Sequence, residues 1–437
     1  MNTVNETIIC HFAKVVAHAE KKSKEMQYDI GIKMLQNNYH KKLAELAVAK
    51  KFCEKNGFST SENLFEIVNI CRAMQDILMG KPTGYLAKID TKQSGMTLQA
   101  CITRCKTSLE NLGYLSNENR DFYMMFCNLM KGMNREQMKD LVLPHFYGAV
   151  AEIIKKLGRE KAEEFFRAYA QAVPKPDALR QAFIDCWDES ATDYWWNTPD
   201  HCQIHIVVKE EFSSGLWDEE TGEKLYSGSE TTRIEWKNSK DERKSCFCYY
   251  PKKGTLMVGD YGYKSLGANA IQATDGYAMR ELGIRCRYAN AFRAKFATLR
   301  KGHSFIGFEN AEQANKTLDM YKCWQEMDIC SLRVMFFIPE GAVIPEDYYN
   351  AIATAICNLP KHDFRVMAVH DEFMCHFNYL NEMQKAFNLI VTEIYKGNML
   401  NYWSNVFNWD KYGINIDLDP VNTEIAKCLA NSDYMLQ

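Results

Sequence analysis

Apolar positions in the first 80 residues recur at helical spacing, for example Leu43, Leu46, Ala47 and Ala49 and then Leu64, Ile67, Val68 and Cys71, which predicts a block of helices. Lys81-Pro82-Thr83-Gly84 breaks that pattern, and Tyr85 to Asp90 then reads as a short strand ending on a carboxylate. Helical spacing returns from Leu98 to Val173, interrupted by Gly113, the Asn117-Glu118-Asn119 cluster and Pro144, until Pro174 and Pro176 punctuate it. Between about 200 and 265 the period changes: His205 to Val208 and Thr232 to Trp236 alternate like strands, which predicts a small antiparallel insert. The Gly259 to Gly267 run has no phosphate-loop lysine in place and reads as a flexible loop. Helix is expected again near Ala270 to Leu282, and a strand pair at Phe364 to Val369 and Phe373 to Phe377, with His370 and Asp371 at the turn between. Helices in blocks and a sheet assembled from distant segments make an α+β chain, with no internal repeat and no low-complexity tract.

Composition narrows the class. A chain of 437 residues at 46% hydrophobic and 25% charged can bury a core of domain size, which excludes a disordered or fibrous protein. The net charge of −3, from 53 basic and 56 acidic residues, lacks the basic excess of many nucleic-acid binders, so any grip on nucleic acid has to be local. The 16 cysteines are too dilute for a disulfide framework. Met1 to Cys10 is polar rather than leader-like, so the thiols are expected to be reduced and the protein cytoplasmic, in the host cytoplasm if the source is viral. The longest apolar run, around Val334 to Ile338, is far short of the roughly 18 to 20 residues that span a bilayer, so no membrane association is expected. Cys246-Phe247-Cys248, Cys101 with Cys105, and His201-Cys202 with His205 lack the paired spacing of a zinc site, and no zinc is assigned.

The candidate chemistry starts from two aspartates. Asp90 and Asp371 lie at strand ends more than half the chain apart and could converge on one sheet edge. Such a pair is costly unless cations sit between the carboxylates, and two divalent metals roughly 4 Å apart are the standard device for in-line displacement at phosphorus. Taken singly, either aspartate is a common turn former. Arg135 and Lys139 share a helix face at i and i+4, with Tyr147-Gly148 about two turns further along, so two cations and a ring could line one groove.

In this order the residues resemble a known family. Asp90 with Ser94-Gly95, then Arg135, Lys139 and Tyr147-Gly148, then Val369-His370-Asp371 are similar to motifs A, B and C of the single-subunit RNA polymerases of T-odd phages and mitochondria. Asp121-Phe122-Tyr123, Trp196-Asn197-Thr198-Pro199-Asp200, Asn269 to Gly276 and a terminal Ser432-Asp433-Tyr434 fall in the family's order. The resemblance implies a DNA-directed RNA polymerase catalytic subunit with a right-hand fold. Its palm would be an antiparallel sheet and its fingers helical. By residue it implies an N-terminal helical segment and the first part of the palm over 1–107, fingers over 108–272 and a second palm segment with a C-terminal foot over 273–437. Asp90 and Asp371, with the Thr91 carbonyl, would hold two Mg²⁺ ions. Arg135, Lys139, Tyr147, Tyr123, Gln272 and His370 would bind the nucleoside triphosphate. Lys139 would donate a proton to pyrophosphate and Tyr147 would sense the ribose. The macromolecular partners implied are a DNA template and an RNA product.

Five departures shape the reading. Gln272 stands where these enzymes usually carry a histidine on the ribose 2′-hydroxyl, and Glu372 makes the His-Asp-Glu of family A DNA polymerases, the enzymatic rival. Against that rival, Ser94-Gly95 resembles the RNA-polymerase motif A. A catalytically silent nucleic-acid-binding scaffold is the rival of another class. Pro144 should kink or break the helix just before Tyr147, since an interior proline costs about 3 kcal/mol or more. The long separation of Asp275 from Asp371 predicts an insertion near 285–345, whose Arg285, Arg287, Arg293, Lys295, Arg300 and Lys301 could track a nucleic-acid backbone or form a solvated helix face. Few residues precede Asp90, so the promoter domain and thumb are expected on a second polymerase subunit, as in phage enzymes split into a heterodimer.

Overall fold

The computed structural model describes the chain apart from residues 1–5, 21, 62, 116–119, 131, 189–190, 192, 208–229, 238–242, 251–262, 370–371, 434 and 437; at 207, 230–237, 243–250 and 263–265 it describes the backbone alone. The helical opening is α1 (Glu6–Ala17), α2 (Lys24–Gln36), α3 (Tyr39–Lys42), α4 (Leu46–Asn56) and α5 (Leu64–Leu78). Ile8, Ile9, Phe12, Ala13 and Val16 bury one side of α1, and Leu64, Ile67, Val68, Cys71 and Met74 one side of α5, the stripe their spacing predicts.

Strand β1 (Leu86–Asp90) follows, then α6 (Ser94–Ile102), α7 (Lys106–Asn111), α8 (Phe122–Leu129), α9 (Arg135–Phe146), α10 (Val150–Leu157), α11 (Arg159–Ala172) and α12 (Pro174–Asp185). The expected insert consists of two antiparallel pairs, β2 (Asp193–Asn197) with β3 (Gln203–Val207) and β4 (Glu230–Lys237) with β5 (Arg243–Tyr250). The long helix α13 (Tyr263–Arg287) includes Tyr263 to Gly267, which the sequence pattern reads as loop. Gly267 lies against Phe183, and this packing carries the helix through the glycine.

Next come α14 (Ala289–Phe296), β6 (Arg300–Gly302), α15 (Ala311–Met327), a 3-10 turn at Leu332–Phe336, β7 (Val343–Pro345) and α16 (Glu346–Cys357). Phe292, Leu299, Met320, Leu332, Ile344, Tyr348 and Ile352 build a hydrophobic core of their own there, a small packed unit. The chain closes with β8 (Val366–Val369), β9 (Glu372–His376), α17 (Leu380–Lys396), α18 (Met399–Val406) and α19 (Thr423–Ala430). The architecture is mixed α and β, mostly helical. Among the described residues no helix is long and apolar enough to cross a membrane.

The central sheet has the order β1-β9-β8 and is antiparallel throughout. Strand period 2 divides its faces: Ala87, Ile89, Phe373 and Cys375 are buried, while Leu86, Met367 and Val369 are open to solvent. The buried face rests on α17, where the rings of Phe373 and Phe387 lie 5.3 Å apart, and Leu380, Met383, Phe387, Ile390 and Ile394 form the matching stripe.

A buried ion network joins α13, α17 and the small unit. Arg285 donates to Glu281 at 2.8 Å and to both oxygens of Glu393 at 2.8 and 2.6 Å. The Ser331 hydroxyl and Leu332 N–H bond Glu281 at 2.6 and 2.8 Å. Arg285 and Glu281 are fully buried, so the expectation that Arg285 tracks nucleic acid or lies on a solvated face is corrected: its charge is spent inside the fold. Four of the other five basic residues of this stretch staple the unit: Arg293 donates to the Leu359 and Pro360 carbonyls, Lys295 to Met335 and Arg300 to Gly341, while Lys301 lies 3.6 Å from Glu346; Arg287 lies over the ring of Tyr288, 5.3 Å from its centroid.

Two outcomes follow from this packing. Arg285→Ala leaves two carboxylates without their cation and should cost about 3–5 kcal/mol, read as a lower denaturant midpoint. His11 is buried against Tyr85 and Phe377, and burial lowers its pKa from 6.5 to about 3. An unfolded histidine takes up its proton at about 6.5, so below that pH protons favour the unfolded chain. Stability should therefore fall as pH drops from 6.5 towards 3, by up to about 1.4 kcal/mol per unit from this residue. Urea midpoints across that range should flatten by that slope in His11→Phe.

Candidate active site

The antiparallel register sets Asp90, the last residue of β1, opposite Glu372, the first of β9, while Val369 at the end of β8 also faces Glu372. Segments more than half the chain apart therefore meet at one sheet end. His370 and Asp371 lie outside the described residues, although Asp371 is bonded to Glu372 in the chain. Lys88, one pleat back from Asp90 on β1, reaches across to Glu372 at 2.6 Å. A cavity of about 150 Å³ opens beside this end, and Asp90, Glu372, Glu66 and Glu20 line it together with Lys14 and Lys88. Burial raises the pKa of Glu66, with Lys88 opposing the shift. Among the described residues no three His, Cys, Asp or Glu side chains converge as a metal-ligand set. Asp90 and Glu372 are hard oxygen donors, a type that suits Mg²⁺.

The chain beyond Asp90 is held from outside. Thr91 bridges Leu436, the Lys92 N–H donates to the Met435 carbonyl at 3.0 Å, and Lys24 pairs with Asp433 at 2.8 Å, so the C-terminal segment lies along the strand exit. Gln93 then takes a left-handed conformation, φ 53°, a costly one for a side chain of this kind, and turns the chain sharply into α6. Ser94 and Gly95 form the first turn of that helix.

Helix α9 carries Arg135 at its start and Tyr147 as its C-cap. An Asn134 and Gln137 capping box fixes its beginning, satisfying otherwise orphaned N–H groups. As expected, the helix ends just before Tyr147, with Pro144 in its last turn. Proline leaves the Asp140 carbonyl without its helical donor, and the Lys156 ammonium donates to it instead at 3.3 Å. Arg135 is clamped: its Nε donates to Asp121 at 2.7 Å, its Nη1 to Glu136 at 3.1 Å, and its guanidinium lies 5.3 Å above the Tyr123 ring. Burial would lower the Arg135 pKa, but the bonds to Asp121 and Glu136 raise it, so the cation is secure. Tyr123 is buried beneath it, whereas Lys139 and Tyr147 are exposed.

Gln272 is exposed on α13, one residue after the buried Ile271. Gly95, Phe146 and Ile271 meet: a Cβ on Gly95 would stand 2.7 Å from the Phe146 ring and 3.5 Å from the Ile271 side chain. The immediate neighbours of Ser94, Tyr147 and Gln272 thus share one contact. The Trp196 to Asp200 segment is anchored on the same helix, because Arg280 forks onto Asp200 at 2.7 and 2.9 Å and also donates to Thr198. Burial pushes the Asp200 carboxyl up, and the Arg280 hydrogen bonds more than offset it, leaving the pKa below the ordinary value. Phe146, Lys156 and the Lys88 to Glu372 bridge were missed in the sequence. Nothing local marks them, although Pro144 signals that some donor must serve Asp140.

The chain was compared with family models and with curated proteins, and nothing matches.

Asp121 both caps α8, accepting from the Tyr123 and Met124 N–H groups, and holds Arg135. Asp121→Ala should cost about 2 kcal/mol, and Asp121→Asn about half of that because it keeps a capping oxygen. Thermal unfolding of the two variants side by side measures this.

Proposed function

We propose that this chain is the catalytic subunit of a DNA-directed RNA polymerase of the single-subunit phage and mitochondrial type, adding nucleotides from nucleoside triphosphates to an RNA 3′-hydroxyl on a DNA template. The observation that carries the reading is the register of β1 on β9, which sets Asp90 opposite the residue that follows Asp371 in the chain. The shared contact of Gly95, Phe146 and Ile271 supports it, since the segments that resemble motif A, motif B and the stretch before motif C adjoin there. On this reading the sheet β1-β9-β8 is the palm and the helices from α8 to α12 belong to the fingers.

Asp90 and Asp371, with the Thr91 carbonyl, would hold two Mg²⁺ ions, which supply Lewis acidity to the attacking hydroxyl and to the phosphates. The chain's own residues position and neutralise. Arg135, poised on Tyr123 by Asp121, offers a guanidinium fork to phosphate oxygens and exchanges its carboxylate partner for the triphosphate. Lys139, about one turn further along α9, is the proton donor to departing pyrophosphate. Tyr147 stands at the open end of the same helix and, with Gln272, senses the sugar, while His370 assists nucleotide binding. Glu372 is engaged by Lys88, which gives it a role in strand registry apart from any DNA-polymerase chemistry. A second subunit would complete the template channel.

The test is primer extension on single-stranded DNA with Mg²⁺, using this chain alone and copurified with proteins encoded beside it. Ribonucleotide addition that falls at least about a thousandfold in Asp371→Asn, with DNA binding retained, is the expected result for loss of a metal ligand. Preference for deoxyribonucleotides would replace the reading with a DNA polymerase. Tight DNA binding without addition of either nucleotide would leave a scaffold.

A further inference from the structure

Gly95 sits in the first turn of α6 with ordinary helical backbone, so its lack of a side chain answers a demand of space rather than of conformation. The space belongs to Phe146: two ring atoms lie 2.7 and 2.9 Å from where a Cβ would stand, closer than carbon atoms pack. Ile271 approaches the same point from α13 at 3.5 Å. Phe146 and Ile271 are both almost fully buried. The ring is thus a knob at the junction of α6, α9 and α13. It also packs edge-to-face on the exposed Tyr147, centroids 4.7 Å apart and planes at 79°, a favoured aromatic geometry.

Tyr147 and Gln272 each directly follow a residue of this junction, Phe146 in one case and Ile271 in the other. Helix ends move only as far as their packing allows, because close-packed interiors transmit small displacements. We propose that Phe146 is a positioning residue for sugar selection: seated in the notch left by Gly95, it sets the separation and orientation of Tyr147 and Gln272. The inference rests on the polymerase reading and goes beyond it, because it assigns discrimination to a buried residue that touches no nucleotide. The glycine and the phenylalanine form one steric pair, so a change in either disturbs the other.

The experiment measures kcat and KM for single-nucleotide addition with a ribo- and a deoxyribonucleoside triphosphate of the same base. It uses the full chain, with any copurifying subunit, as wild type, Phe146→Leu, Gly95→Ala and the double variant. Phe146→Leu should lower the ribo-over-deoxyribo ratio of kcat/KM about tenfold, the scale of one pocket contact, while ribonucleotide kcat stays within about threefold. Gly95→Ala should lower the ratio similarly, and the double variant should recover most of it, since leucine vacates the volume that the new methyl needs. Recovery of a ratio is a result that general loosening of the fold does not produce. If Phe146→Leu fails to fold, Phe146→Met, nearer in volume, carries the same measurement. A wild-type ratio in the phenylalanine variant, or a double variant that is merely additive, overturns the inference alone. A wild-type protein that adds neither nucleotide overturns the polymerase reading, and the inference with it.

Discussion

The pairing of β1 with β9 is the constraint on which the rest depends. It closes a loop of more than half the chain, and closure entropy grows only logarithmically with length, so a few strand bonds and one apolar face suffice to hold it. The face is supplied by Ala87, Ile89, Phe373 and Cys375 seated on α17. A slip of one residue would turn these side chains to solvent and the charged set inward, so burial specifies the register. With the register set, Asp90 has only one neighbour on the next strand, Glu372, and everything between the two segments has to pack around that sheet end.

Helix α13 is the second fixed body. Its polar anchors differ in kind from the apolar contacts of the sheet. Arg285 with Glu281 and Glu393 ties its far end to α17, and Arg280 with Asp200 ties its middle to the turn after β2. The buried members, Arg285, Glu281 and Asp200, are weak sources of net stability, but they favour one arrangement, because each would carry a large desolvation cost if left unpaired. The apolar end of the helix meets Gly95 and Phe146, so a residue such as Gln272 inherits its place from contacts at both ends.

The small unit built on Phe292, Ile344 and Tyr348 is chained to α13 by Glu281, the partner of Arg285, which accepts from Ser331 and Leu332. Arg293, Lys295 and Arg300 close carbonyls within the unit. Arg135 is likewise engaged within the fold, on Asp121.

Local sequence signals by themselves determined the helical opening, the strand ending on Asp90, the β8 and β9 pair and the end of α9 just before Tyr147, because these rest on local preferences: period 3.6, period 2 and the missing N–H of Pro144. Residue order along the chain also singled out Asp90, Arg135 and Tyr147 as candidate site residues. Tertiary structure alone decided which groups meet. That Arg285 is buried rather than exposed depends on Glu393, over a hundred residues away; that Arg135 rests on Tyr123 depends on the packing of α8 against α9; and that Gly95 must be glycine depends on a phenylalanine from another helix. Charge and side-chain volume are written in the sequence, but whether a charge is paired or a volume is vacant is a property of neighbours that only the folded chain assembles.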